Sequence, residues 1–345
     1  MFSGIDFSSD TRTRPSLAMK QAMMLAAVGD EQIGEDPSTK LLEETMALKL
    51  GKSAAMFFPS ATMCNQIAVK LHCQPGEEVI GPESCHIFSA EAGGAAFHAG
   101  AQTRMIRTPD GIFTGEELKD YVRSSSGPLI PKSTLLLVEN TANAGGGVAW
   151  PLTKLSSIMA VAQELGLKTH LDGARLFNAA LATNTNIKIL AAGFDTVSIC
   201  FSKGLGCAMG AILAFDQKDW HLVRRLKQVF GGAMRQSGIL AAACLYALEN
   251  HIDSLIDDHN NAKSLSAGLS LIAGIKVENK SPSTNMVFFS VDPELIDPNQ
   301  FLDHCLKYQI RFSRSAYNRF RAVTHRDISA AQVSEALLQL AQLNT

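Results

Sequence analysis

Short apolar runs that favour β-structure recur along the first two thirds of the chain, and amphipathic stretches separate several of them. The runs cover residues 54–58, 78–81, 103–106, 134–138, 168–171, 196–200 and 211–215. Between two of these runs, apolar residues recur at the spacing of one helix face, namely Leu155, Ile158, Met159, Ala162 and Leu165. Strands that alternate with helices predict an α/β fold, in which a mostly parallel seven-stranded sheet is flanked by helices.

The pattern changes near residue 245. A helical stretch over residues 248–271 leads to apolar runs at 275–278, 285–291 and 309–313. A final helix follows, with Ser329 and Gln332 placed as a capping box and an apolar face of Val333, Ala336, Leu337 and Leu340. We therefore predict two domains in the 345 residues: a large domain over 1–245 and a small α+β domain over 246–345, against which the N-terminal segment packs.

Composition and charge exclude several classes of protein. Apolar residues make up 46% of the chain and charged residues 19%, which is typical of a folded domain with a large core. A net charge of −2 gives no general attraction to nucleic acid or to an anionic membrane. The longest apolar stretches, such as residues 207–215, are far shorter than the roughly 20 residues of a membrane span. We expect neither nucleic acid nor a membrane as a partner.

The seven cysteines are odd in number and form no C-x-x-C pair. This pattern favours reduced, buried thiols over a disulfide framework or a zinc site, and no metal site is predicted. The segment from Met1 to Arg14 is polar and has no apolar core of a signal peptide. The expected location is therefore cytoplasmic.

Two residues at predicted strand ends suggest the chemistry. Lys203 follows the run 196–200 and precedes an uncharged loop of small residues, an environment that lowers the pKa of an amine and favours a Schiff base. Asp172 closes the run 168–171, 31 residues earlier, which leaves room for one crossover helix around residues 187–192. In a parallel sheet both residues then lie at the edge where ligands bind. The pair suits pyridoxal phosphate, with the lysine forming the imine and the carboxylate holding the pyridine nitrogen protonated. A structural salt bridge is the alternative.

Two further segments fit the same cofactor. Ser60, Ala61 and Thr62 lie between the run 54–58 and an apolar helix, where free backbone N–H groups and hydroxyls bind a phosphate. An ordinary helix N-cap is the alternative there. His86 follows the run 78–81 and could stack on the cofactor ring or transfer a proton, although a lone histidine is often structural.

Six short motifs resemble those of L-threonine aldolases and occur in that family's order. They are Gly34-Glu35-Asp36-Pro37, Ser60-Ala61-Thr62-Met63, Glu139-Asn140-Thr141, Asp172-Gly173-Ala174-Arg175, Ser202-Lys203-Gly204 and Val323-Thr324-His325. The resemblance extends from Ser9 to about Asp327. It implies a fold type I pyridoxal-phosphate enzyme of the β-eliminating lyase group, with the cofactor on the large domain.

The resemblance also implies a role for each matching residue. Lys203 becomes the Schiff-base lysine, Asp172 the partner of the pyridine nitrogen and His86 the histidine stacked on the ring. Further cofactor contacts are implied at Ser60, Ala61, Thr62, Arg175, Ser202 and Arg235, the last reaching a phosphate across a dimer interface. Substrate contacts are implied at Ser9, Arg175 and Arg321, and the two arginines suit a carboxylate because their planar forks bind it in a fixed orientation. A homo-oligomer, dimer or tetramer, is expected.

Three positions depart from the family pattern. Ala142 replaces a histidine, and Ile33 and Ala90 replace tyrosines, so polar groups are missing where the β-carbon of the substrate is expected. The predicted function is cleavage of the Cα–Cβ bond of a β-hydroxy-α-amino acid of the threonine, allo-threonine or phenylserine type, giving glycine and an aldehyde. His86, acting through a water, is the predicted base. β-Elimination or transamination with the same cofactor, and a non-catalytic binding protein, remain as alternatives.

Overall fold

The computed structural model describes residues 2–123 and 127–344. The strands are β1 (Ile5–Asp6), β2 (Ala54–Phe58), β3 (Glu78–Pro82), β4 (Gln102–Ile106), β5 (Ser133–Glu139), β6 (Lys168–Gly173), β7 (Thr196–Cys200), β8 (Ala211–Phe215), β9 (Ile275–Val277), β10 (Met286–Val291), β11 (Ile310–Arg311), β12 (Ser313–Ala316) and β13 (Arg319–Val323). The α-helices are α1 (Leu17–Met24), α2 (Pro37–Leu50), α3 (Ala61–His72), α4 (His86–Ser89), α5 (Gly115–Tyr121), α6 (Leu152–Glu164), α7 (Leu176–Thr183), α8 (Ile187–Leu190), α9 (Trp220–Val229), α10 (Gly238–Asn250), α11 (Leu255–Leu269), α12 (Pro298–Lys307) and α13 (Ala330–Leu340).

A seven-stranded sheet in the order β2-β8-β7-β6-β5-β3-β4 forms the centre of the fold. The pairs β3–β4, β3–β5, β5–β6 and β6–β7 are parallel, whereas β8 runs antiparallel to both of its neighbours. The predicted α/β fold with a mostly parallel sheet is thereby confirmed. Strands β2, β7 and β8 are buried at every residue, as expected of strands covered on both faces.

Helices cover both faces of this sheet. The apolar face of α6 consists of the buried residues Leu155, Ile158, Val161 and Ala162. The predicted face was wrong at its end, because Leu165 is the C-cap residue and is exposed. Two helices, α7 and α8, occupy the crossover between β6 and β7, where the sequence predicted one.

A second sheet, in the order β12-β13-β10-β9, carries the C-terminal part of the chain. The predicted strand at 309–313 was wrong, because this segment changes partners at Phe312: β11 pairs with β1, and β12 pairs with β13. Strand β13 and helix α12 were not predicted. The predicted helix over 248–271 is two helices inclined by 70°, α10 and α11. The chain turns between them where His251 Nδ1 bonds to the carbonyl oxygen of Leu205 at 2.8 Å.

The two largest hydrophobic clusters lie in different parts of the chain. One core includes residues from Met19 to Leu255, and the other joins Ile5 and Phe7 to residues between Ala262 and Leu340. The predicted boundary at residue 245 falls inside α10, which contributes Ala243, Cys244 and Ala247 to the first core. The N-terminal strand β1 runs parallel to β11, with Ile5 opposite Ile310.

Within the described part of the chain, no single helix is long and apolar enough to cross a membrane, and only the bent pair α10 and α11 meets both criteria when taken together.

Candidate active site

Predicted site residues lie at one edge of the large sheet, at the carboxyl ends of β5, β6 and β7. Asp172 is the penultimate residue of β6 and lies opposite Ser198 of β7. Its carboxylate is buried, and each oxygen accepts one hydrogen bond: Oδ1 from the Ala174 backbone N–H at 3.0 Å and Oδ2 from Asn65 Nδ2 at 2.8 Å. One donor on each oxygen fixes the carboxylate plane and leaves further lone pairs for a ligand.

Lys203 lies three residues beyond β7, in a tight turn. Its carbonyl oxygen accepts hydrogen bonds from the Thr13 hydroxyl at 2.7 Å and from the Gly206 N–H at 2.8 Å. Gly206 has a φ of +79°, a conformation that favours glycine. The side chain of Lys203 is half-buried, and its charge is close enough to influence the pKa values of Asp10 and His86.

His86 opens α4 and faces the same edge. Its backbone N–H donates to Glu139 Oε2 at 2.6 Å, and its Nδ1 lies 2.8 Å from Glu91 Oε1. The hydrogen bond to Glu91 raises the pKa of His86, and the charge of Asp172 adds to this effect. Because a carboxylate only accepts, Nδ1 carries the proton and Nε2 of the neutral ring is free to accept one.

Arg175 forms a bidentate ion pair with Asp10. Its Nε donates to Oδ2 at 2.7 Å and its NH2 to Oδ1 at 2.6 Å, and both side chains are buried. Burial acts to raise the pKa of Asp10, but the charge and hydrogen bonds of Arg175, the charge of Lys203 and the hydrogen bond from Asn285 together outweigh it and lower that pKa to about 2. The carboxylate is therefore ionised and orients one edge of the guanidinium, which leaves NH1 for another partner.

Arg321, on β13, approaches Arg175 from the C-terminal part of the chain. Its NH1 donates to Asn143 Oδ1 at 3.1 Å and its NH2 to the Ser8 carbonyl oxygen at 3.1 Å, while its Nε is buried without a partner. Burial and then the positive charge of Arg175 lower the pKa of Arg321. Two converging guanidinium groups with an unused donor suit an anion that binds both.

Ser9 lies at the start of a short helix near the N-terminus. Its hydroxyl caps the short 3₁₀-helix Asp10–Arg12, where it accepts from the Thr11 backbone N–H at 3.2 Å. The residue next to it, Ser8, supplies the carbonyl oxygen that Arg321 binds. The predicted substrate role of Ser9 stays a prediction.

The predicted phosphate cradle forms the start of α3. The Ser60 hydroxyl accepts from the Met63 backbone N–H at 3.2 Å and so acts as the N-cap. The N–H groups of Ala61 and Thr62 lie in the first turn, where they have no intrahelical acceptor, and Thr62 is exposed. Ser60 is therefore an ordinary helix N-cap, and the same segment can still bind a phosphate, because the N–H groups of Ala61 and Thr62 remain available to an anion.

The side chains of Ser202 and Arg235 have partners other than Asp172 and Lys203. The Ser202 hydroxyl contacts Cys200 Sγ at 3.4 Å. Arg235 is 61% exposed and pairs with Asp30 Oδ2 at 2.7 Å, and no contact joins it to Asp172 or Lys203 within the described residues. Its role as a phosphate ligand of a neighbouring subunit stays a prediction.

The site also contains buried polar atoms that no described protein group satisfies. Besides Arg321 Nε, these are Asn140 Nδ2 and Thr141 Oγ1, which directly follow β5. Buried polar groups are otherwise almost always paired, so these atoms fit a site that takes a polar ligand. With a lysine, a fixed carboxylate and a helix N-terminus nearby, the donor set fits pyridoxal phosphate.

The three departures from the family pattern have different surroundings. Ile33 is 69% exposed and Ala90 is also exposed, so neither packs in the core. Ala142 is buried, and its Cβ lies 2.9 Å from the position of a Cβ added to Gly111. The Cβ of Ala142 therefore packs closely against Gly111.

Sequence reasoning missed three residues that hold the site together: Asp10, Asn65 and Glu91. All three are polar and buried. Asp10 and Asn65 have partners far away in the sequence, as in the contact of Asn65 with Asp172, whereas Glu91 also binds the nearby His86. Asp10 adjoins the predicted Ser9 and Glu91 follows the noted position Ala90, but neither motif indicated a partner.

Comparison with known proteins identifies the family. Residues 6–292 match the beta-eliminating lyase family, so the chain belongs to the β-eliminating lyases. It is 36% identical to low-specificity L-threonine aldolase 1 of Arabidopsis thaliana over 337 residues, which cover 96% of this chain and 94% of that protein.

Solved structures share the fold. A threonine aldolase from Leishmania major matches with a TM-score of 0.84 at 21% identity, covering 99% of this chain and 100% of that one. A structure of SPT with PLP matches with a TM-score of 0.75 at 18% identity, covering 98% of this chain and 86% of that one. The family and the threonine aldolase relative identify a lyase that uses pyridoxal phosphate.

Proposed function

We propose that this enzyme cleaves the Cα–Cβ bond of a β-hydroxy-α-amino acid to give glycine and an aldehyde. The observation that carries the proposal is the convergence of four groups at one sheet edge: Lys203 and Asp172 beyond neighbouring strands, and the adjacent guanidinium groups of Arg175 and Arg321. The threonine aldolase relatives support the same reaction.

Pyridoxal phosphate, when bound, supplies the electron sink that accepts the electron pair of the bond broken at Cα. Lys203 would hold it through its side-chain amine, Asp172 through the pyridine nitrogen, and the start of α3 through the phosphate. Because Asn65 and Ala174 fix the Asp172 carboxylate, this group needs no rearrangement to receive the ring.

Arg175 and Arg321 would bind the substrate carboxylate. Asp10 holds one edge of the Arg175 fork, and Asn143 and Ser8 hold Arg321, so both forks are oriented before the substrate arrives. Fixing the carboxylate restricts rotation at Cα and determines which bond is aligned for cleavage.

His86 is the group best placed to take the β-hydroxyl proton. Its Nδ1 proton is directed to Glu91, so its Nε2 accepts the proton directly or through a water. The raised pKa makes this nitrogen a stronger base than a free imidazole.

Product analysis tests the proposal. The purified protein with pyridoxal phosphate should release equal amounts of glycine and aldehyde from a β-hydroxy-α-amino acid, and borohydride should attach the cofactor to Lys203. Lys203→Ala is the control and should do neither. Release of ammonia and a keto acid would instead establish elimination or transamination as the reaction.

We further propose weak discrimination at the β-carbon, with cleavage of threonine, allo-threonine and phenylserine. The exposed Ile33 and Ala90, in place of tyrosines, support this, and the Arabidopsis relative is named a low-specificity enzyme. The test compares kcat/KM for each pair of epimers in the wild type and in Ala90→Tyr, because position 90 has room for a larger side chain. Strict preference for one threonine epimer in the wild type would contradict the proposal.

We also infer a homo-oligomer. Leu17 and Met24, seven residues apart on one face of α1, are 74% and 76% exposed, and Leu25 beside them is 78% exposed. An apolar surface of this kind is typical of an interface. Multi-angle light scattering should give a mass of at least twice 37.1 kDa, and an active monomer would refute the inference.

A further inference from the structure

Asn65, on α3, contacts two of the buried carboxylates of the site, those of Asp172 and Glu91. Its Nδ2 donates to Asp172 Oδ2 at 2.8 Å and to Glu91 Oε1, also at 2.8 Å. Asn65 is 1% exposed, so water does not replace it in either contact. The ligand atoms of His86, Glu91 and Asp172 all lie within 4.8 Å of one another. Two carboxylates at this separation repel each other unless donors lie between them.

The orientation of the Asn65 amide follows from its other partners. Its Oδ1 accepts from the Ser198 hydroxyl at 2.8 Å and lies 3.1 Å from His170 Nε2. Burial lowers the pKa of His170 to about 4, so its ring is neutral. The reversed amide would direct its oxygen at two carboxylates, which only accept, so both N–H groups must face them.

Glu91 in turn holds His86. Its Oε1 is shared by Asn65 and His86 Nδ1, and its Oε2 accepts from Gln66 Nε2. The charged groups that face His86 are Glu91 and Asp172, which raise its pKa, Lys203, which lowers it, and Glu139, whose Oε2 accepts from the His86 backbone N–H at 2.6 Å. A single amide therefore connects Glu91, which holds the histidine, with Asp172, which would hold the pyridine nitrogen of the cofactor.

We infer that Asn65 and Glu91 are positioning residues, with Glu91 fixing the ring and the proton of His86 and Asn65 bridging Glu91 to Asp172. The inference rests on the proposed function in so far as Asp172 and His86 serve the cofactor and substrate. It makes two separate predictions. Replacing Asn65 should change both the affinity for the cofactor and the pKa of His86. Replacing a residue that contacts Glu91 but not Asp172 should change only the pKa of His86.

The structure offers a matched set of variants. Glu91→Gln keeps the size of the side chain and removes its charge. The new amide would meet Gln66 Nε2, but Gln66 Oε1 is buried without a partner, so Gln66 can turn over and accept from it. Gln66→Ala is the control for Asn65→Ala, because Gln66 donates to Glu91 and has no contact with Asp172.

The first measurement is the pKa of His86 in the cofactor-free protein, by NMR of ¹³C-labelled histidine with the signal assigned through His86→Gln. Glu91→Gln should lower the pKa of His86 by about one unit or more. Asn65→Ala and Gln66→Ala should each raise the pKa by about half a unit, because Glu91 loses a competing donor and binds the His86 proton more strongly. A merely loosened site would instead return the pKa towards that of free histidine in every variant.

The second measurement is the dissociation constant of pyridoxal phosphate, followed by its absorbance. Asn65→Ala should weaken binding roughly tenfold, and Gln66→Ala should change it by less than about twofold. Equal losses in the two variants, or an unchanged pKa of His86 in Glu91→Gln, would overturn the inference. If Asn65→Ala fails to fold, Glu91→Gln and Gln66→Ala together decide the first part, because they should shift the pKa of His86 in opposite directions.

These readouts are independent of the reaction catalysed. A wild-type protein that binds the cofactor and shows the expected pKa changes, but forms no glycine, would refute the proposed function and leave the positioning roles intact. Aldolase activity without those pKa changes would support the proposed function and refute the positioning roles.

Discussion

The ion pair between Asp10 and Arg175 gives the sharpest prediction for stability. Asp10 is fully buried and the Arg175 side chain is 6% exposed. Asp10→Asn keeps the shape but places an amide nitrogen against the donors of Arg175 and Asn285. Removing one partner of a buried pair leaves an unpaired charge, at a cost of roughly 3–5 kcal/mol.

The pH dependence provides a second estimate. The pKa of Asp10 falls from 3.8 to about 2, which corresponds to about 2 kcal/mol of stabilisation by the ionised form. Because the folded-state pKa is lowered, this stabilisation is complete above pH 4 and is lost as the pH falls from 3.8 towards 2. The difference between wild type and Asp10→Asn should therefore be constant from about pH 5 to 8.

Urea unfolding of the cofactor-free protein at one fixed concentration measures the effect. The matched control is Glu278→Gln, which breaks another bidentate pair, with Arg319, whose side chains are 35–36% exposed. That variant should lose less than about 1 kcal/mol. If Asp10→Asn costs no more than Glu278→Gln, the buried pair does not stabilise the fold as argued.

Three further predictions concern other parts of the molecule. Burial raises the pKa of Glu43 from 4.5 to about 7, so ionisation of this carboxyl lowers the stability of the folded protein as the pH rises between these values. In urea unfolding above pH 7, the free energy of unfolding of Glu43→Gln should exceed that of the wild type by up to about 3 kcal/mol. Equal stability of the two proteins at pH 8 would count against this. Arg321→Lys should raise the KM for the amino acid roughly tenfold or more, because an ammonium group cannot replace the planar guanidinium fork. The absorption spectrum of the bound cofactor should not change. An unchanged KM in steady-state kinetics would show that Arg321 does not bind the substrate. Thr114→Ala removes the capping box of α5 and should lower the free energy of unfolding by about 1 kcal/mol, whereas the exposed Thr153→Ala, inside α6, should change it little.

Much of the central sheet was predictable because strands such as β2, β5, β7 and β8 are largely apolar runs of five to seven residues. Strands that are buried on both faces have no polar face to confuse with a helix or a loop. Strand β13 was missed for the opposite reason: Arg319, Phe320 and Arg321 alternate, so only every second residue reaches the core. The segment at residues 309–313 was misassigned because one extended run pairs with two different strands, which its own pattern does not reveal.

In the candidate site, the sequence predicted groups whose position follows from the sheet. Asp172 and Lys203 were placed together because parallel strands end at one edge. Asn65 and Asp10 were not predicted, because the role of each depends on a partner that is distant in the sequence. Asn65 contacts Asp172, and Asp10 contacts Arg175. A buried polar residue on a helix has no sequence signal of its own until its partner is known.

The parallel pairing of β1 with β11 has a consequence for how the protein is made. During synthesis, Ile5 and Phe7 leave the ribosome long before Ile310 and Phe312, which pair with them in the folded protein. At about 5–20 residues per second, the N-terminal strand waits roughly 15 s to 1 min for its partner. Arg321 is made later still, so its approach to Arg175, the pair proposed to bind the substrate carboxylate, follows the synthesis of nearly the whole chain. A nascent chain truncated before residue 310 would display an unpaired first strand, so chaperones and proteases can distinguish it from the finished enzyme.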